Sequence, residues 1–192
     1  MSRRLLDIIL SAGGTAIAIL LLVLGFVLKD QASFAQSYVK DQLGQQKITF
    51  TAAEKLTDEE KTWKSGSRCL VDNGGKLMET GKQAECYANF YIALHLENSA
   101  KTAGYPGETY ATLGGVQTTL RAQVADAKAK NDTAAADAAQ KKLDGVNSLR
   151  STAQTGETLR GLLLTSYGFS IFGEKADLAG NVCLAMCVLL LV

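Results

Sequence analysis

Residues 8–28 read IILSAGGTAIAILLLVLGFVL, 21 consecutive positions without a charged side chain. A helix needs about 20 apolar residues to cross the hydrocarbon core of a bilayer. Arg3 and Arg4 precede this stretch, whereas Lys29 and Asp30 follow it and cancel each other. Because basic residues are retained on the cytoplasmic side of a membrane, the sequence predicts a membrane-spanning helix with a cytoplasmic N-terminus.

A cleaved signal peptide is the alternative interpretation of the same stretch. Ser33-Phe34-Ala35 places small residues at the two positions that a signal peptidase reads, so cleavage after Ala35 would be allowed. The apolar run is longer than the roughly 7 to 15 residues of a signal core. Residues 30–46 also continue as an uninterrupted helical pattern. These two features favour an uncleaved anchor.

The patterns divide the chain into three segments. Residues 1–28 are predicted to form a cytoplasmic start and a transmembrane helix, and residues 29–177 an exported, mainly helical domain. Residues 178–192 are predicted to begin a second transmembrane helix. Only Asn181 is strongly polar there, but 15 residues span about 22 Å as a helix, less than the roughly 30 Å core. We therefore expect this second span to be truncated, the alternative being a tail that packs on the protein or lies in the interface.

The charge balance of the exported segment bears on its partners. Residues 29–177 carry 18 basic and 18 acidic side chains, so the segment is neutral. Binding to nucleic acid is driven by an excess of basic groups, and this segment has no such excess. The predicted partners are the lipid bilayer and another envelope or membrane protein.

The four cysteines form two pairs with different surroundings. Cys69 and Cys86 lie in polar sequence, and in an oxidising compartment a disulfide between them would close a loop of about 18 residues, worth about 3 kcal/mol. The alternative is two free thiols in a cytosolic domain. Cys183 and Cys187 lie four residues apart in an apolar run and share one helix face. We interpret them as small apolar side chains, with palmitoylation or metal binding as the alternative.

The predicted fold class is mainly α with one small β-hairpin. Asn73-Gly74-Gly75 lies between residues 68–72 and 76–80, and an Asn-Gly pair is typical of tight hairpin turns. Residues 82–99 carry a broad apolar helical face. Two antiparallel helices are expected within residues 108–150, joined near residues 131–133. Thr57 and Glu60 have the spacing of a helix capping box.

The sequence predicts no catalytic, cofactor-binding or metal-binding residue. His95 is the only histidine, whereas a common non-haem iron site needs two histidines and a carboxylate. Glycine pairs are not followed by the Lys-Ser/Thr of a phosphate loop. Gly14 and Ala18 form a small-x-x-x-small pair that permits close helix approach. Arg160, in an otherwise apolar helix, is expected to pair with Glu157 or to extend its head group to the surface.

Three segments together resemble a known group of proteins. They are residues 40–50, the helix YANFYIALHL at residues 87–96, and residues 156–169. The chain resembles uncharacterised actinobacterial membrane proteins in which two spans enclose an exported domain. Some members carry an aromatic ring-opening dioxygenase label, which the single His95 does not support. The resemblance implies a complete second span and no particular activity.

Two hypotheses for function follow from these patterns. The first is a non-enzymatic envelope protein whose exported helical domain has a structural or binding role at the membrane. The second is an enzyme or small-molecule receptor whose site is built from scattered residues. A concave pocket with convergent polar groups would favour the second hypothesis, whereas a filled core and an exposed apolar patch would favour the first.

Overall fold

The computed structural model describes residues 2–191, and they are mainly helical. Met1 and Val192, the outer residues of the first and third predicted segments, lie outside the described residues. The helices are α1 (Arg3–Gln45), α2 (Asp58–Thr62), α3 (Arg68–Asp72), α4 (Gly81–Cys86), α5 (Ala93–Thr102), α6 (Leu113–Ala129) and α7 (Thr133–Leu191). A π-helical turn, Tyr87–Ile92, connects α4 to α5, and short 3-10 turns occupy Ala53–Lys55 and Ser65–Ser67.

The chain divides into two compact units. Unit 1 comprises the chain up to Ile48, Leu77–Ala84 and the chain from Thr165 onward; unit 2 comprises Thr49–Lys76 and Glu85–Leu164. The predicted helix after the first apolar run is confirmed, because α1 continues without a break to Gln45. The polar residues near position 175 do not interrupt α7, which runs for 59 residues.

In unit 1, α1 and the last part of α7 pack as an antiparallel pair through small residues. Ala18, Gly25 and Ala32 recur every seven positions on α1 and are buried. A Cβ added at Gly25 would lie 2.8 Å from Leu184, and one added at Gly180 would lie 3.0 Å from the Gly25 carbonyl oxygen. Small residues let two helix backbones approach closely. The heptad spacing keeps this contact continuous along the pair.

The opposite faces of this pair carry large, exposed apolar side chains. On α1 they include Ile8, Ile9, Leu10, Ile17, Ile19, Leu20, Val23, Phe26 and Val27, and on α7 Leu178, Val182, Met186, Val188 and Leu189. Within residues 2–191, α1 is the one helix that is both long and apolar enough to cross a membrane. That property is compatible with a membrane anchor or a signal sequence. The second predicted span, residues 178–192, stays a prediction.

A polar cluster joins the two helices where the apolar runs end. Lys29 Nζ donates to Asp177 Oδ1 at 2.8 Å and to Asn181 Oδ1 at 3.1 Å, and the Asn181 amide donates to Asp177 Oδ2. Hydrogen bonding from Lys29 lowers the pKa of Asp177. The cluster therefore fixes the register of α7 against α1.

In unit 2, α6 and the first part of α7 form the predicted antiparallel helical hairpin. Asn131 adopts a positive φ of 58° in the turn, and the Asp132 side chain accepts from the Ala135 N–H. The hairpin buries a continuous apolar cluster against the end of α5: Ala100, Leu113, Leu120, Val124, Ala139, Leu143, Val146 and Leu149. Near the turn of the hairpin Ala127 and Ala136 are buried, whereas most other residues of 125–139 are exposed.

The predicted β-hairpin is wrong. Residues 68–72 form α3, which buries Leu70 and ends where the Asn73 N–H donates to the Cys69 carbonyl. Gly75 has a φ of +74°. The Lys76 carbonyl accepts from the Phe50 N–H, but no strand forms within the described part of the chain. Asn-Gly-Gly supplies the positive φ that a helix C-terminus uses as readily as a hairpin does.

Candidate binding groove

Unit 2 contains a groove of about 330 Å³ between α5, α7 and the loop that precedes α6. Its apolar lining residues are buried or half-buried: Ala93, Leu96, Ala100, Leu113, Leu149 and Ala153. Three of these are alanines, and the space that larger side chains would fill stays open. Concave sites that bind small molecules have a similar apolar floor and begin near this volume.

The loop wall of the groove depends on two glycines with positive φ. Helix α5 ends at Thr102, and Gly104 (φ 84°) and Gly107 (φ 80°) reverse the chain on either side of Pro106. The Tyr105 N–H returns to the Ala100 carbonyl. This local geometry places Tyr110 at the groove.

Two aromatic residues line the groove, and a cation covers one face of each. Lys64 Nζ lies 3.7 Å from the centre of the Trp63 ring. The Arg150 guanidinium lies 4.3 Å from the centre of the Tyr110 ring and donates to the Tyr110 carbonyl at 3.2 Å. Both rings are half-buried or partly exposed. Such contacts are worth about 0.5–1 kcal/mol at exposed sites, so each favours one orientation of its ring.

The charged side chains that line the groove have no net charge when taken together. Three basic and three acidic residues line it: Lys64, Lys101, Arg160, Glu97, Glu108 and Glu157. Arg160 forms the predicted pair with Glu157, at 2.8 Å, and its Nε also donates to the Ala88 carbonyl at 3.0 Å. Ala88 lies in the π-helical turn. Arg160 therefore holds α7 to that turn.

A second polar pair joins α2 to α5. Glu60 is buried, and its carboxylate accepts from the Thr57 N–H at 2.7 Å, from the Thr57 hydroxyl at 2.9 Å and from His95 Nε2 at 3.1 Å when that nitrogen carries the proton. Burial would raise the pKa of Glu60, but these hydrogen bonds outweigh burial and lower it below its ordinary 4.5. The predicted capping box is confirmed.

His95 ends a row of aromatic rings. The ring centroids of Phe50 and Tyr87 lie 5.4 Å apart, those of Tyr87 and Tyr91 4.7 Å, and those of Tyr91 and His95 4.4 Å. Burial, reinforced by the adjacent Tyr91, raises the pKa of Tyr87 to about 12. Neither Glu60 nor His95 lines the groove. The Glu60–His95 pair therefore connects α2 to α5 outside the groove.

The two candidate cysteines of unit 2 are joined by a disulfide. Cys69 in α3 and Cys86 at the end of α4 have Cα atoms 6.0 Å apart, within the range that disulfides require. Cys183 and Cys187 are free, and Cys187 is buried. Within residues 2–191 no group of three or more potential metal ligands converges.

Gly14, one member of the predicted small-residue pair, does not make the close contact between α1 and α7. A Cβ added at Gly14 would meet nothing within 4 Å, although Ala18 is buried. Gly25 and Gly180 make the close approach instead. The groove was not predicted from the sequence. Its one available signal was Trp63, the only tryptophan, which lies in a short polar segment.

No protein-family model, curated protein or solved structure matches the chain.

Proposed function

We propose that this protein is a membrane-anchored binding protein of the cell envelope, without catalytic activity, whose unit 2 lies outside the cytoplasm. We also propose that it belongs with the actinobacterial two-span membrane proteins that it resembles. The observation that carries the proposal is the α1–α7 pair, which contacts itself through small residues and directs its large apolar side chains outward.

Lipid is the environment that suits this pair. In water, an exposed apolar surface of this extent would favour aggregation, whereas in a bilayer helices associate through small residues and leave large side chains to the acyl chains. Since residues 178–191 pack along the apolar part of α1, they share its environment. Arg3 and Arg4 orient the N-terminus towards the cytoplasm.

The disulfide supports an oxidising location for unit 2. Disulfides persist outside the cytoplasm and are rare within it. Cys69 lies in α3, a five-residue helix that buries Leu70, and the neighbouring five-residue helix α2 buries the polar Glu60. A covalent link is useful where a small core alone is marginal.

The groove supports a binding role rather than a purely bracing one. It combines an apolar floor with aromatic walls and convergent polar groups. In unit 2, by contrast, the large apolar side chains that are exposed, such as Val71, Tyr110 and Leu162, are few. Binding through the groove is therefore better supported than docking through an apolar patch of this unit.

Thiol labelling in intact cells tests this location. The variant Cys183→Ser/Cys187→Ser leaves Cys69 and Cys86 as its only thiols. A membrane-impermeant maleimide is expected to label it only after a reductant is added, because the disulfide first protects both sulfurs. Ser2→Cys in the same background is the cytoplasmic control and should react only after lysis. If Cys69 and Cys86 also need lysis, unit 2 is cytoplasmic and the proposal is wrong.

An enzyme or small-molecule receptor is the second candidate. The groove fits a receptor as well as an envelope binding protein, and the Glu60–His95 pair is the observation that bears on catalysis. A buried carboxylate that orients a half-exposed imidazole is one part of several hydrolytic sites. Such a mechanism also requires a nucleophile or a bound substrate group at the second ring nitrogen. The hydrogen bonds of His95 engage Glu60 and, through its carbonyl, Ser99; neither supplies that role.

A further inference from the structure

We propose that the groove of unit 2 binds an uncharged sugar unit of a glycan chain. This inference rests on the proposed function, because unit 2 can meet envelope polysaccharides only if it is exported. The site itself is built from Trp63, Tyr110 and the charged rim of the groove.

The aromatic walls match the apolar face of a sugar ring. A pyranose in its chair form presents C–H groups on one face, and these pack on the electron-rich face of an indole or phenol ring. Lys64 and Arg150 each occupy one face of Trp63 and Tyr110. The rings are therefore held before a ligand arrives, which lowers the entropy lost on binding.

The polar rim matches hydroxyl and amide groups. Each sugar hydroxyl both donates and accepts, so it can use the carboxylates of Glu97 and Glu108 as well as the ammonium of Lys101. These side chains line the groove and are exposed or half-buried. They can meet a ligand without a large desolvation cost.

The balance of charge argues against anionic ligands. With three basic and three acidic side chains, the groove offers no net attraction to a phosphate-rich chain or an anionic lipid headgroup. The volume of about 330 Å³ accommodates one sugar ring with parts of its neighbours. Strand-like capture of a peptide needs an exposed sheet edge, but helices α5 and α7 form two of the walls and pair their own backbone groups.

Fluorescence tests the inference directly, because Trp63 is the only tryptophan. The full chain is placed in phospholipid nanodiscs, since detergents with sugar headgroups would compete, and is titrated with chitotriose, an uncharged trimer of N-acetylglucosamine. We expect a saturable change in emission with a dissociation constant on the order of 1 mM, as befits an open site for one ring. Loss of an aromatic wall in Tyr110→Ala should weaken binding about fivefold.

Phe172→Ala is the matched control. Phe172 is 75% exposed on α7, in unit 1 and outside the groove, so its removal should leave binding unchanged. Circular dichroism checks that both variants keep the helical fold. A titration without saturation overturns the inference, as does equal binding by Tyr110→Ala. A proline-rich peptide that saturates the signal while chitotriose does not would assign the groove to peptides instead.

These outcomes are independent of the location of unit 2. Failure to bind chitotriose leaves the thiol-labelling result unchanged. Labelling of Cys69 and Cys86 only after lysis would overturn the proposed function, whatever the titration shows. The two failures are therefore distinguishable.

Discussion

At the scale of single residues, Glu60 gives the clearest dependence on pH. Its pKa is lowered in the folded chain, so folding favours the ionised carboxylate. The resulting stabilisation is fully present above the ordinary pKa of 4.5 and is lost as the pH falls through the lower, folded value. Acidification below about pH 4.5 should therefore weaken the contact of α2 with α5.

The variant Glu60→Gln checks this expectation. The amide keeps the shape of the side chain but cannot be ionised, so denaturant unfolding followed through Trp63 should lose part of its acid sensitivity. At pH 7 the variant should be less stable by about 1–3 kcal/mol, since a buried, hydrogen-bonded charge has been removed. Glu59→Gln is the control, because Glu59 is exposed and its carboxylate accepts from the Asn98 amide. Equal acid sensitivity in wild type and Glu60→Gln would contradict the expectation.

At the scale of the elements, local patterns predicted the helices better than the site. The apolar run, the Thr57–Glu60 spacing and the break near Asn131 each depend on neighbours in sequence, and the corresponding helices are present. Asn73-Gly74-Gly75 misled because the same backbone conformation ends a helix or turns a hairpin. What decided between them is the burial of Leu70 in α3, a tertiary contact.

The groove could not be predicted, because its parts lie far apart along the chain. Trp63 follows α2, Tyr110 lies in the loop before α6 and Ala153 lies in α7. The space between them depends on how α5 packs against α7. Gly156 allows that approach, since a Cβ there would lie 2.5 Å from Leu96. Periodicity identifies a buried face but does not say which helix covers it.

The contact between α1 and the last part of α7 can be tested by a substitution at Gly25. Gly25→Leu places a branched side chain where even a Cβ would lie 2.8 Å from Leu184, so overpacking should destabilise the pair by about 1–3 kcal/mol. Disulfide cross-linking of Ala35→Cys with Gly173→Cys, in the Cys183→Ser/Cys187→Ser background, reports the pairing, because a Cβ added at Gly173 would lie 3.0 Å from the Ala35 Cβ. Its yield should fall severalfold.

Gly13→Leu is the matched control for this change. It makes the same substitution on the same helix, but a Cβ at Gly13 meets nothing within 4 Å. Cross-linking should therefore proceed as in the parent. Equal yields for Gly25→Leu and Gly13→Leu would mean that the small-residue contact does not hold the helices together.

At the scale of the whole molecule, the two units should respond differently to reduction. The disulfide joins Cys69 and Cys86, two residues of unit 2 with a sequence separation of 17, whereas unit 1 contains no disulfide within the described residues. Chain-entropy arguments assign a closed loop of this length about 3 kcal/mol. With the full chain in phospholipid nanodiscs, a reductant should therefore lower the unfolding midpoint reported by Trp63 in unit 2, while the helical signal of the α1–α7 pair persists to higher temperature. The double variant Cys69→Ser/Cys86→Ser should unfold at the lower midpoint with or without reductant. If the reductant does not change the midpoint of the Trp63 transition in the parent chain, the packing of α5, α6 and α7, rather than the disulfide, determines the stability of unit 2.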